Sequence, residues 1–104
     1  MDKFASDKTT KIKFEDGEYV EIRDNISWGD FHKLREIQSK LNVQDSELEL
    51  MDFFIKSWNF KENGKDIEIS KENFKKLKLE IFSKIDSELV KRLGMSVELE
   101  KKSG

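Results

Sequence analysis

The chain has 104 residues and a mass of 12.3 kDa, enough for one small domain. Apolar residues make up 36% and charged residues 40%, with a net charge of −2, which describes a heavily solvated surface over a modest core and gives no general pull toward DNA or an anionic membrane. The absence of cysteine excludes disulfides, thiolate metal sites and a cysteine nucleophile, and the single histidine, His32, excludes a multi-histidine metal centre.

The five glycines, at 17, 29, 64, 94 and 104, are too scattered for a phosphate-cradling loop. The longest clean apolar run, Phe53-Phe54-Ile55, is far short of a membrane span. Residues 1–6 lack an apolar stretch of signal-peptide length. These features lead us to expect a soluble cytoplasmic protein.

Residues 1–9 are polar apart from Met1, Phe4 and Ala5 and read as a flexible arm. A β-hairpin follows, because Ile12 and Phe14 alternate with lysines while Val20 and Ile22 alternate with Glu21 and Arg23. A three-residue loop, Glu15-Asp16-Gly17, pairs Ile12 with Val20, gathers the four apolar side chains on one face and puts Gly17 at the left-handed position. Tyr19 then shares the other face with Lys11 and Lys13.

Ser27 caps a first helix over roughly 28–42, with Asp30 in a weak capping-box position and Phe31, Leu34, Ile37 and Leu41 as its apolar stripe. Ser46-Glu47-Leu48-Glu49 reads as a capping box for a second helix over about 46–59. Its stripe is Leu48, Met51, Phe54, Ile55 and Trp58. Leu50 and Phe53 widen the apolar arc, so the spacing predicts a central helix contacted on two sides. Asn63-Gly64 marks a second short hairpin in which Lys61 opposes Asp66 and Phe60 opposes Ile67. Such a hairpin is marginal alone, which favours a sheet shared with the first or packing on a helix.

Ser70 caps a third helix over roughly 71–93, ended by Gly94, with Phe74, Leu77, Ile81, Phe82, Ile85, Leu89 and Leu93 as its stripe. Met95, Val97 and Leu99 alternate with polar residues in a C-terminal tail. The fold class is therefore α+β: an N-terminal β-hairpin and a three-helix module, with the second hairpin between helices two and three. Residues 10–94 form the domain and 95–104 the tail.

No constellation for catalysis, cofactor or metal emerges. His32 has no nucleophile or second ligand suggested beside it. Asp45, Glu47, Glu49 and Asp52 gather at the second helix, where the positive helix N-terminus favours acids without any catalytic role. The third helix carries seven basic against four acidic side chains. Its phenylalanines lie in the apolar stripe instead of interleaving with the lysines, which argues against a nucleic-acid surface. Leu79 and Val90 fall off the main stripe, about 20° from each other on the helical wheel. They meet either a second surface, a partner or another copy of the chain, or the tail folding back over them.

Two stretches carry a resemblance: Asp16-Gly17-Glu18-Tyr19-Val20-Glu21-Ile22-Arg23-Asp24 followed by Ser27-Trp28-Gly29-Asp30, and Ser57-Trp58-Asn59-Phe60 followed by 63–74 leading into the last helix. Their order over about residues 10–93 resembles small tail-module proteins of long-tailed bacteriophages, tail assembly chaperones in particular. The resemblance implies a non-enzymatic protein in the host cytoplasm that binds the helical tape measure protein and helps recruit tail-tube subunits. In that setting Leu79 and Val90, with Phe53 if the second helix is not fully covered, would form the client contact. A virion structural protein, such as a tail or head–tail completion subunit, and a small phage-encoded inhibitor or regulator of a host nucleic-acid machine are the alternatives.

Overall fold

The first hairpin sets the frame of the fold. In the computed structural model, which describes residues 3–93, β1 (Thr9–Lys13) pairs antiparallel with β2 (Tyr19–Arg23), and Ile12 lies opposite Val20. The Phe14 N–H donates to the Glu18 carbonyl at 2.8 Å, closing the three-residue loop read from the sequence. Asp16 and Gly17 both adopt left-handed backbone, with φ of 59° and 76°. Ile12, Val20 and Ile22 are buried on the inner face. On the outer face the Lys11 ammonium sits 4.3 Å from the centre of the Tyr19 ring.

Helix α1 (Trp28–Ser39) starts as expected, with the Ser27 hydroxyl accepting from the Asp30 N–H at 3.0 Å. Its buried line differs from the expected stripe. Leu34 is buried and Phe31 packs partly on the core, but Ile37 and Leu41 are exposed. Gln38 is buried instead, its amide Nε2 donating to the Ser46 carbonyl across the α1–α2 contact at 3.3 Å.

Helix α2 (Val43–Phe54) departs from the reading at both ends. Its cap is Asn42, whose side chain accepts from the Asp45 N–H at 2.8 Å, and Ser46 is a buried helical residue, not a cap. At Ile55 the backbone turns extended and becomes β3 (Ile55–Trp58), antiparallel to β2, giving a sheet ordered β1-β2-β3. The sequence reading had placed Ile55 and Trp58 on a helix stripe. β2 overrides that spacing by offering an edge to pair with, and the Ser57 hydroxyl donates to Glu21 at 2.7 Å. The expected central position of α2 holds: it contacts α1, α3 and β3, and buries Leu48, Leu50, Met51 and Phe54.

The second hairpin, β4 (Lys61–Glu62) and β5 (Lys65–Asp66), has the register expected of it, with Asn63 and Gly64 at φ of 53° and 79°. It forms its own two-stranded sheet. It is tied to the domain by Trp58, whose indole N–H donates to the Ile67 carbonyl at 2.6 Å and whose ring packs against Phe60 and Phe74.

The third helix of the sequence reading is two helices, α3 (Lys71–Lys75) and α4 (Leu79–Leu93). Ser70 caps the first, accepting from the Asn73 N–H at 3.1 Å. The chain bends at 76–78, where the Lys78 carbonyl takes over as the first acceptor of α4. On a continuous helix Lys75 and Lys78 would be a like-charged i,i+3 pair, which disfavours helix across this point. The two pieces also serve different walls: Phe74 packs against Trp58, while Ile85 and Leu89 are fully buried farther along. The expected Gly94 stop and the tail lie outside the described residues.

Candidate protein-docking groove

The bend at 76–78 has a local consequence. On an unbroken helix Leu77 and Leu79 would stand about 200° apart and face opposite ways. With the helix broken, both line one groove of about 240 Å³ between α2 and the α3–α4 junction. Leu48 and Met51 form the α2 wall, and Phe74, Leu77 and Phe82 the opposite one. Gln44, Glu47 and Lys75 line it with polar groups of both signs. Leu79 is 77% exposed at the rim of this groove.

An ion pair ties the two helices outside the groove lining. The Lys71 ammonium bonds the Glu49 carboxylate, joining α3 to α2. That hydrogen bond, supported by the negative charges of Glu49, Asp52 and Asp45, holds Lys71 above the ordinary lysine range.

The three residues singled out from the sequence do not form one site. Val90 is 40% exposed and lies eleven residues beyond Leu79 on the same side of α4, about 16 Å along the axis. Phe53 points away from the groove, on the side of α2 opposite the Leu48–Met51 line. It is half-buried: its ring packs edge-on against Phe54, and the Arg23 guanidinium lies 4.8 Å over it. Leu77, Phe82, Gln44, Glu47 and Lys75 were not singled out. The alternation Leu77-Lys78-Leu79, which no continuous helix buries on one face, was the signal for the first of them.

His32 is exposed and stacks edge-on with Trp28 at 4.6 Å on the first turns of α1. Among the described residues, no group of three His, Asp or Glu side chains is placed to hold a metal ion, and no helix is long and apolar enough to cross a membrane. The groove is smaller than the roughly 300–1,000 Å³ usual for small-molecule sites. Its volume and lining have room for one or two apolar side chains. Comparison with protein-family models, with curated proteins and with solved structures returns no match.

Proposed function

We propose that this chain is a protein-binding assembly factor of the phage tail assembly chaperone kind, seating an amphipathic helix of a tape measure protein in the groove between α2 and the α3–α4 junction. The observation that carries the reading is Leu79, exposed at a groove floored by Leu48, Met51, Phe74 and Phe82. A helix that lays one or two apolar side chains, such as an i, i+3 or i, i+4 pair, into an apolar groove needs this kind of surface and no preorganised reactive groups. The order of hairpin, capped helix and second hairpin described for the two sequence stretches supports the tail-module assignment.

The test is co-expression with a phage tape measure protein. The native chain keeps that protein in the soluble fraction and co-purifies with it, while Leu79→Asp does neither although its circular dichroism is unchanged. A tape measure that is equally soluble with and without the chain contradicts the reading. Abundant chain in purified virions would instead favour a structural subunit.

A further inference from the structure

The outer edge of β1 presents hydrogen-bonding groups that no described strand uses. Phe14 bonds Glu18, and the Lys8 carbonyl accepts from the Asp24 N–H at 3.1 Å. In an antiparallel ladder these bonded pairs alternate, so the even-numbered residues of β1 face β2 and the peptide groups of Thr9, Lys11 and Lys13 face outward. The Lys84 ammonium confirms the direction by donating to the outward Lys13 carbonyl at 2.7 Å. The opposite edge of the sheet is a poor template, because β3 has four residues and its pairing shifts register between Glu21 and Ile22. β1 is paired without interruption over all five residues and ends the sheet.

The side chains around this edge are basic. Lys8, Lys11, Lys13 and Lys84 are all exposed. On the outer face Glu21 of β2 is engaged by the Thr9 and Ser57 hydroxyls, and Asp7 is the one acid at the N-terminal start of the edge, two residues before Thr9. Lysines on an edge strand repel a second copy of the same strand. They attract a strand that carries acids at alternate positions.

We infer that the β1 edge is a second docking surface, separate from the groove, which adds an extended acidic segment of a partner protein as a fourth strand. The main-chain groups of Thr9 and Lys11 and the Lys13 N–H supply the pairing, and Lys11 and Lys13 meet acidic side chains at alternate positions of the added strand. The Lys84 contact at Lys13 limits the pairing at that end.

The test titrates the full chain with a six-residue peptide alternating glutamate and valine, read by amide resonances and hydrogen exchange. The resonances of Thr9, Lys11 and Lys13 are expected to shift and their amides to become protected. Binding weakens as salt rises, and the doubly substituted Lys11→Glu, Lys13→Glu chain binds about tenfold more weakly. The same peptide with its pairing amides N-methylated retains its charge and does not bind. Equal binding of the methylated peptide would reduce the edge to a charged surface and overturn the inference. So would shifts confined to the groove around Met51 and Leu79, or concentration-dependent dimerisation through β1 without peptide.

Discussion

Arg23 grips Phe53 twice: its guanidinium lies 4.8 Å over the phenyl ring, and its Nε donates to the Phe53 carbonyl at 2.8 Å. The pair joins the end of β2 to the last turn of α2, just before the chain turns extended into β3. A carbonyl in the last helical turn lacks an intrahelical partner, and a cation there is favoured by the helix dipole. Arg23→Ala removes the bond and the ring contact together. The expected cost is about 1–2 kcal/mol, measured by urea denaturation. Arg23→Lys recovers only part of it, because an ammonium cannot stack and donate in the same geometry.

Gly64 has a backbone φ of 79°, and a Cβ added there meets no atom within 4 Å. The cost of Gly64→Ala is therefore conformational alone, about 1 kcal/mol. Faster hydrogen exchange is expected in the β4–β5 hairpin, with the amides of β2 unaffected.

Glu21 gives the fold a definite acid response. The Thr9 and Ser57 hydroxyls, and more weakly the Lys11 and Lys56 charges, hold its carboxyl below the usual glutamate range. A depressed folded-state value means stability that is present above the unfolded value, near 4.3, and is lost as pH falls through the folded one. Denaturation midpoints measured from pH 6 down to pH 2 should fall more steeply for the native chain than for Glu21→Gln. The Lys71–Glu49 pair acts at the other end. Its raised lysine value means a contribution present below the unfolded value, near 10.4, and lost as pH rises through the folded one.

Turn and cap chemistry is local, and it was legible except at α2, where Asn42 and not Ser46 is the cap. Gly17, Asn63-Gly64, Ser27 and Ser70 each stand where their backbone or side chain requires. β3 was not legible, because Ile55 and Trp58 fit a helical spacing after Met51 as well as they fit a strand. The choice is made by β2, more than thirty residues earlier in the chain. Gln38 replaced Ile37 in the interior for a similar reason: its partner, the Ser46 carbonyl, belongs to another helix. That Leu79 stands off the stripe could be read from its spacing, which fitted a second surface or the tail folding back equally well. Its union with Leu77 could not, since that depends on the bend between α3 and α4.

The claim that the groove seats a helix is tested most directly by calorimetric titration with an amphipathic helical peptide from the tape measure protein, comparing the native chain with Leu79→Asp. Leu79 is the first residue of α4, where an acid suits the helix N-terminus, so the variant is expected to fold with an unchanged denaturation midpoint. The account predicts saturable binding to the native chain and at least about a tenfold loss in the variant, the scale of an apolar anchor at an interface centre. Equal affinity of the two chains for the peptide would contradict it.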